Sequence, residues 1–180
     1  MGSCCVAVDE SRVFTPINIA LLTISDTRTL EDDTSGGILA ERIVKAGHQL
    51  VERAIEKDVV DRIVSRLNGW IDDTRVDCVI TTGGTGLTGR DVTPEALDRV
   101  KEKDIPGFGE LFRWISFNTI GTSTVQSRAH AVLSRGTYIF ALPGSNGAVK
   151  DGWDQILAEQ LDSRNRPCNF VELIPRLREV

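Results

Sequence analysis

The stretch VDCVITTGGTGLTGRDVTPEALDRV, residues 76–100, decides the fold of this 180-residue chain. It begins with an apolar run at 76–82 that is typical of a strand buried on both faces of a sheet. A glycine-rich loop follows directly. Thr93 and Pro94 then form a good N-cap and first-turn pair, which predicts a helix to about residue 100. A strand, a polar loop and a helix in this order indicate one unit of a parallel α/β sheet.

On both sides of this stretch, strand-like apolar runs alternate with segments of helical spacing. Strands are predicted at 17–24, 48–55 and 137–143, and helices at 38–47, after Asp58, at 105–121 and at about 148–161. The polar segment 25–37 is predicted to be a loop. This alternation predicts an α/β domain with a largely parallel sheet that helices cover on both faces. Residues 1–14 are predicted to be a flexible N-terminal arm, and residues 15–180 the folded domain.

Charge and cysteine usage exclude several classes of function. The chain has 21 Lys and Arg residues against 26 Asp and Glu residues, a formal net charge of −5, so we expect no nucleic-acid partner and no binding to an anionic membrane. No apolar run approaches the roughly 20 residues of a membrane helix. The four cysteines form no C-x-x-C pair, which argues against a zinc site and indicates a reducing, cytoplasmic location.

Three unusual loops follow predicted strands. Ser25 and Asp26 follow the first, residues 83–91 follow the strand at 76–82, and residues 143–147 follow the last. Ligands of parallel sheets bind outside the carboxyl ends of the strands, so we expect the three loops to face one crevice.

The glycine loop itself suggests a ligand. Gly83, Gly84 and Gly86 lack Cβ atoms, which allows successive backbone amides to approach an anion closely, and Thr82 and Thr85 add hydroxyl groups. A phosphate is the natural ligand of such a loop, and the alternative is an ordinary tight turn. The chain has neither the lysine-containing P-loop motif nor the glycine pattern of a dinucleotide site.

Two aspartates stand beside these loops. Asp91 precedes the Thr93 helix start, where it is either a turn-forming carboxylate or a ligand of a cation that neutralises the bound phosphate. Mg²⁺ typically takes one or two carboxylates plus substrate phosphates. Asp58 follows another strand at the same predicted edge, where it either caps the next helix or shares the metal with Asp91.

Taken together, these stretches resemble the molybdenum cofactor biosynthesis family that includes protein B and the molybdopterin adenylyltransferases. The resemblance covers about residues 17–170, and its motifs are ISD at 24–26, TTGGTG at 81–86, RDVTPEA at 90–96, PGFGE at 106–110, SR at 127–128 and LPGS at 142–145. The stretches EDDTSG at 31–36, GTSTVQSR at 121–128 and RPCNF at 166–170 are most similar to the protein B branch.

The resemblance implies a single-domain, three-layer α/β/α sandwich, a Rossmann-like molybdopterin-binding domain over residues 15–180. It also implies a homotrimer or homohexamer, and contacts with other enzymes of molybdenum cofactor synthesis are a further expectation. The ligand would be molybdopterin, with its terminal phosphate near the glycine loop. Active members of the family use Mg²⁺ and ATP to attach AMP to that phosphate, releasing pyrophosphate.

The resemblance also implies roles for individual residues. It assigns catalysis and Mg²⁺ binding to Asp58 and Asp91. It assigns substrate binding to Ser25, Asp26, Thr82, Gly83, Gly84, Thr85, Gly86, Ser127, Arg128, Pro143, Gly144 and Ser145. Lys57 precedes Asp58 where the family commonly has proline. Two alternatives stay open: a non-catalytic molybdopterin carrier of the same fold, and a Mg²⁺-dependent hydrolase of another phosphorylated metabolite.

Overall fold

The computed structural model describes residues 8–177 and residue 179, which form one six-stranded sheet with helices on both faces. The strands are β1 Asn18–Ile24, β2 Gln49–Glu56, β3 Cys78–Thr82, β4 Lys103–Asp104, β5 His130–Ser134 and β6 Thr137–Leu142. The helices are α1 Thr34–Lys45, α2 Val60–Asp72, α3 Thr93–Val100, α4 Pro106–Ile120, α5 Asn146–Gly152 and α6 Ala158–Gln160. Two 3-10 segments lie at Gly121–Gln126 and Val171–Arg176, and a π-helical segment, Trp153–Leu157, joins α5 to α6.

The strand order is β2-β1-β3-β6-β5-β4. The first four strands in this order run parallel, while β5 is antiparallel to β6 and β4 is antiparallel to β5. Alternate residues of the central strands enter two separate cores, one on each face of the sheet. In β3, Ile80 enters one core and Val79 the other. This confirms the predicted α/β class with its mostly parallel, doubly covered sheet, and explains why the strands are apolar throughout.

Helix α1 begins at Thr34, four residues before the predicted start at residue 38, so the predicted loop is shorter than expected. Asp33 caps the helix, because its side chain accepts a hydrogen bond from the Gly36 amide at 3.0 Å. A Cβ atom on Gly36 would lie 2.1 Å from the Asp33 carboxylate. The glycine that suggests a loop in the sequence is therefore the residue that leaves room for the cap.

The sequence pattern predicted neither β5 nor β4. A hairpin connects β5 to β6, and its two turn residues, Arg135 and Gly136, have φ angles of 47° and 85°. Two central residues with positive φ give the turn that matches the twist of a hairpin. Only Gly136 marks this turn in the sequence, because arginine seldom adopts a positive φ. The predicted helix at 148–161 begins at Asn146, two residues early, and Ser145 caps it.

The predicted arm at 1–14 falls partly within the described residues. Its residues 1–7 lie outside them. Over the rest, the Asp9 amide donates to the Arg164 carbonyl at 3.1 Å, and the Ser163 hydroxyl donates to the Val13 carbonyl at 3.2 Å. The Phe14 ring lies 5.2 Å from the His48 ring, centroid to centroid. Residues 9–14 therefore pack on the domain.

The outer face of α4 and the 3-10 segment after it expose large apolar side chains. Trp114 is 72% exposed, Phe117 is 53% exposed and Val125 is 81% exposed. We call these three residues, with Ile120, the α4 apolar face. None of the helices in the described part of the chain combines the length and the apolar composition needed to cross a membrane.

Candidate functional site

A cleft of about 550 Å³ opens where β3 and β6 end. The glycine loop forms one part of its wall, and the turn after β6 forms another. The predicted site residues that line it are Gly83, Gly84, Thr85, Gly86, Asp91, Ser127, Pro143, Gly144 and Ser145. The predicted meeting of the 83–91 and 143–147 loops is confirmed. Of the predicted site residues, Ser25, Asp26, Asp58, Thr82 and Arg128 lie outside the cleft lining.

The backbone of the glycine loop adopts conformations that require glycine. Gly83 has a φ of +103°, and a Cβ atom there would lie 2.3 Å from the Ile24 carbonyl oxygen. Gly84 has a φ of +63°, and its Cβ atom would lie 2.5 Å from the Thr93 hydroxyl. Gly144 lies close to Gly83, because a Cβ atom on Gly144 would be 3.2 Å from the Gly83 Cα. The loop therefore runs tightly between the end of β1 and the turn after β6.

Thr93 fixes this loop instead of capping α3, so the predicted N-cap role is wrong. It is the first helical residue, and its hydroxyl donates to the Gly83 carbonyl at 2.8 Å. Its amide donates to the Gly84 carbonyl at 2.9 Å. The residue at the N-cap position is Val92, which provides no side-chain hydrogen bond to the helix. The start of α3 and the glycine loop are therefore one rigid unit.

Asp91 lies at the C-terminal end of the glycine loop and forms hydrogen bonds within it. Its carboxylate accepts hydrogen bonds from the Thr88 hydroxyl at 2.6 Å and from the Thr88 amide at 2.9 Å. A Cβ atom on Gly86 would lie 2.8 Å from the same carboxylate. The hydroxyl of Thr88 is the main reason why the pKa of Asp91 lies below its usual value, against an opposing effect of burial. Asp91 is therefore ionised, half-buried and directed at the loop.

Asp58 lies beside Gly84. Its Oδ1 is 3.1 Å from the position that a Cβ atom on Gly84 would take. It does not cap α2, because Val59 occupies that position and α2 has no side-chain cap. Burial raises the pKa of Asp58, and the nearby carboxylates of Asp26 and Asp91 raise it further, while Arg90 opposes them. The structure therefore places Asp58 and Asp91 in one electrostatic cluster.

Asp26 joins the loop after β1 to this cluster. Its carboxylate accepts the Asp58 amide at 3.3 Å and the Arg90 guanidinium at 2.6 Å. The Ser25 hydroxyl accepts the amides of Thr27 and Arg28 at 3.3 and 3.2 Å, which bends the loop. The structure thus brings both residues to the predicted edge of the sheet as supports of the loops.

Arg128, a predicted ligand contact, forms hydrogen bonds to the backbone of the glycine loop. Its Nε donates to the Gly86 carbonyl at 2.7 Å, and its Nη2 donates to the Asp91 carbonyl at 2.6 Å. Its Nη1 forms an ion pair with Glu95. All three guanidinium nitrogens thus have protein partners, which makes Arg128 a support for the backbone between Gly86 and Asp91.

Three of the four remaining predicted hydroxyl residues form hydrogen bonds within the protein. The Thr82 hydroxyl donates to the Pro143 carbonyl at 3.2 Å and so joins the ends of β3 and β6. The Ser127 hydroxyl accepts the Ala129 amide at 3.3 Å, and the Ser145 hydroxyl accepts the Ala148 amide at 3.2 Å. Ser127 and Ser145 also line the cleft.

Sequence reasoning missed several residues of the cleft. Arg28 lines it, as do Phe112, Ser116, Thr119 and Ile120 from one face of α4. Arg28 stands two residues after Asp26 in a loop already assigned to the site, so its charge was a signal in the sequence. The contribution of α4 had no such signal, because the apolar spacing of a helix does not show which of its residues meet a cleft.

The donor chemistry beside Gly84 and Gly86 fits Mg²⁺. Asp58 and Asp91 offer carboxylate oxygens, the hard ligands that Mg²⁺ prefers, and Mg²⁺ needs only one or two of them when substrate phosphates complete its coordination. Gly84 beside Asp58 and Gly86 beside Asp91 leave space that side chains would otherwise fill. The residues present therefore suit a metal that binds together with a phosphate.

One other group of metal-ligating side chains lies away from the cleft lining. Among the described residues, Asp98, Asp104 and His130 are the one set of three whose ligand atoms lie within 4.8 Å of one another. The Lys101 ammonium lies 2.7 Å from the Asp98 carboxylate and 3.0 Å from the Asp104 carboxylate. Lys101 therefore already offsets one of the two carboxylate charges of this surface group.

Comparisons with known proteins agree with this geometry. A family model described as a probable molybdopterin binding domain matches residues 20–163. Molybdenum cofactor biosynthesis protein B of Escherichia coli strain K12 is 49% identical over 160 residues, which is 89% of this chain and 94% of that protein. The protein of the same name from Halalkalibacterium halodurans is 40% identical, over 87% of this chain and 94% of that protein.

Solved structures share the fold as well. A crystal structure of a molybdenum cofactor biosynthesis protein B has a TM-score of 0.84 and 36% identity. The match covers 94% of this chain and 100% of that chain. The tungsten cofactor synthesizing protein MoaB of Pyrococcus furiosus has a TM-score of 0.75 and 32% identity, over 91% of this chain and 98% of that chain.

Proposed function

Because the chain belongs to the molybdenum cofactor biosynthesis protein B family, we propose that it is a Mg²⁺-dependent molybdopterin adenylyltransferase. Membership of the family supports a role in molybdenum cofactor biosynthesis. The finer proposal is that the protein binds molybdopterin and ATP, transfers AMP to the terminal phosphate of molybdopterin, and releases pyrophosphate.

One observation carries the proposal. The carboxylates of Asp58 and Asp91 approach the same glycine loop, next to Gly84 and Gly86. The Gly83 amide donates to the Leu142 carbonyl at 3.0 Å, so the later amides of the loop would have to bind the phosphate. The two carboxylates would repel that phosphate unless a cation lay between them. A phosphate site with two adjacent acids is therefore a site for a phosphate and a divalent cation together.

The proposed reaction forms one bond and breaks one. An oxygen of the molybdopterin phosphate attacks the α-phosphorus of ATP, and the bond from that phosphorus to the β-phosphate oxygen breaks, so that pyrophosphate leaves. When bound, Mg²⁺ would neutralise phosphate charge and assist the departure of pyrophosphate. The attacking phosphate is already ionised, so the protein needs no strong general base.

The chain's own residues would mainly position the reactants. Hydrogen bonds fix the glycine loop, since Thr93 bonds to it from the start of α3 and Arg128 bonds to it from the segment before β5. Its amides would hold one phosphate in place, and the apolar cleft wall at Phe112 would keep water away from the reacting groups. Positioning and preorganised electrostatics of this kind supply most of the rate enhancement in phosphoryl transfer.

A specific observation favours a second candidate, the non-catalytic molybdopterin carrier. The Asp91 carboxylate already accepts two hydrogen bonds from Thr88, which is the geometry of a structural turn residue. In a carrier, Asp91 would only shape the loop. Its replacement would then change the affinity for molybdopterin rather than a reaction rate.

We also propose a homo-oligomer, a trimer or a hexamer. The α4 apolar face supports this, because side chains as large as Trp114 and Phe117 are seldom left in water as a contiguous group. Sedimentation velocity would test the proposal, and a monomer at all concentrations would contradict it.

The decisive experiment for the function is a turnover assay. Molybdopterin, ATP and Mg²⁺ are incubated with the protein, and adenylylated pterin is quantified beside molybdopterin binding. Asp91→Asn and Asp58→Ala should abolish product while binding of molybdopterin largely persists. Asp61→Asn, which changes an exposed acid in the first turn of α2, is the matched control and should keep full turnover.

Two outcomes would contradict different parts of the proposal. Normal turnover by Asp91→Asn would remove the metal-binding role of Asp91. Tight binding of molybdopterin by the wild type without any product would instead establish the carrier.

A further inference from the structure

Arg28 is the one positively charged side chain among the described residues that line the cleft. Asp91 and Asp151 line the same cleft, so acids outnumber bases in its wall. An anionic ligand therefore meets two carboxylates and a single guanidinium. Among the described side chains of the cleft, that guanidinium alone attracts such a ligand, because a carboxylate that no cation compensates repels a phosphate.

The charge of Arg28 is not needed to neutralise the buried acid beside it. Asp33 is 3% exposed, and its Oδ2 accepts the Thr23 hydroxyl at 2.5 Å and the Arg53 guanidinium at 3.0 Å. Its Oδ1 accepts a hydrogen bond from the Gly36 amide at 3.0 Å. The Nη1 of Arg28 is 3.5 Å from the same oxygen, which is the outer limit of hydrogen-bonding distance. Arg53 is therefore the counter-ion of Asp33, and Arg28 remains a surplus cation.

The Arg28 side chain is held in place before any ligand arrives. Its Nη1 donates to the Ser35 hydroxyl at 2.7 Å, and its amide donates to the Ser25 hydroxyl at 3.2 Å. The Thr34 hydroxyl donates to the Asn146 side-chain oxygen at 3.0 Å, which joins the start of α1 to the start of α5. Within the described residues, protein hydrogen bonds of the guanidinium involve Nη1 alone, so Nε and Nη2 are available.

We propose that Arg28 binds a phosphate group of the ligand through Nε and Nη2, at a position in the cleft separate from the glycine loop. The planar fork of a guanidinium matches two phosphate oxygens, and such charge-assisted hydrogen bonds are the strong ones. The identity of the ligand rests on the proposed function, which offers two sources of this phosphate. One is the triphosphate of ATP, and the other is the terminal phosphate of molybdopterin.

The test compares the wild type with Arg28→Ala, Arg28→Gln and the control Arg75→Ala. Arg28→Gln keeps a donor for Ser35 but removes the charge, while Arg75 is an exposed arginine at the opposite end of β3, bonded to Asp73. Calorimetric titrations with ATP and, separately, with molybdopterin are made in the presence of MgCl₂. Both Arg28 variants should raise the Kd of at least one ligand about 10- to 100-fold. The ligand that is affected identifies the source of the phosphate.

Three results would overturn the inference. These are an unchanged Kd for both ligands in Arg28→Gln, an equal loss in Arg75→Ala, and a wild type that binds neither ligand. Turnover is recorded separately. A wild type that binds its ligands through Arg28 but forms no product would reject the proposed adenylylation and leave the inference standing.

Discussion

The guanidinium of Arg90 holds the carboxylate of Asp26 with hydrogen bonds of 2.6 and 2.8 Å. This contact connects the loop after β1 with the loop after β3, and the Asp58 amide at 3.3 Å from the same carboxylate adds the loop after β2. Three segments that are distant in sequence thus share one acceptor. Asp26 therefore orders the rim of the site although it lies outside the cleft lining.

Replacing Arg90 should loosen the rim without unfolding the protein. We expect Arg90→Ala to leave Tm nearly unchanged, since an exposed ion pair contributes little to stability. The Kd for molybdopterin should rise about 2- to 10-fold, because the ligand would then have to order the released loops. Differential scanning fluorimetry and calorimetric titration measure the two effects. Arg99→Ala removes another exposed pair, with Asp61, and should change neither quantity.

Asp58 should make the folded protein less stable at neutral pH. Burial and neighbouring carboxylates raise its pKa in the folded state above the ordinary value of 3.8. Ionised Asp58 therefore disfavours folding above the raised pKa, and this effect is absent below 3.8, where the carboxyl is protonated in both states. We expect Asp58→Asn to raise Tm by a few degrees at about pH 7 and to match the wild type at about pH 3. A gain that persisted in acid would show that the charge of Asp58 is not its cause.

Gly83 should be irreplaceable, while a glycine six residues later in the same loop should not. Gly83→Ala places a Cβ atom 2.3 Å from the Ile24 carbonyl oxygen at a φ of +103°. The strain should destabilise the protein by about 1–3 kcal/mol or displace the loop, with loss of molybdopterin binding. Gly89→Ala meets no atom within 4 Å and should be neutral. Urea unfolding of the two variants decides, and equal stabilities would contradict the expected strain.

Of the acidic residues discussed, Asp33 should be the one whose removal lowers the free energy of unfolding most. Asp33→Ala removes the counter-ion of Arg53, the acceptor of the Thr23 hydroxyl and the cap of α1, which should destabilise the protein by about 3–5 kcal/mol. Asp32→Ala, at an exposed neighbour, is the control and should cost far less.

The same residue predicts an acid-induced loss of stability. Burial tends to raise the pKa of Asp33, but hydrogen bonds from Thr23, Gly36 and Arg53 outweigh it, and the pKa lies below the ordinary value of 3.8. The contribution of Asp33 is therefore complete above 3.8 and disappears as the pH falls through the lowered pKa. Urea unfolding at decreasing pH should therefore show the difference in stability between the wild type and Asp33→Ala becoming smaller.

The sequence predicted the sheet and the meeting of the loops well, because both depend on local patterns. Apolar strands ending in glycine or proline turns mark the carboxyl edge of a parallel sheet, and Gly83 and Gly144 do meet there. The sequence did not predict the hairpin turn at Arg135, because the positive φ of Arg135 is set by the pairing of β5 with β6 rather than by the residue type.

The roles of single side chains were harder to predict than their location. Arg128 was predicted to contact the ligand and Arg28 was not, yet Arg128 donates to the Gly86 and Asp91 carbonyls whereas Arg28 lines the cleft. That difference depends on which acceptors the fold brings near each guanidinium. No spacing rule along the chain contains this information.

Strand β2 lies at the edge of the sheet, where a strand of another molecule could pair with it. An eight-residue edge strand offers unpaired backbone groups to a strand of a neighbouring molecule. On β2, however, Arg66 bridges the carboxylates of Glu52 and Glu56 at 3.1 and 3.2 Å. An added strand would have to lie beside this ionic group and desolvate it, which opposes the growth of fibrils from that edge.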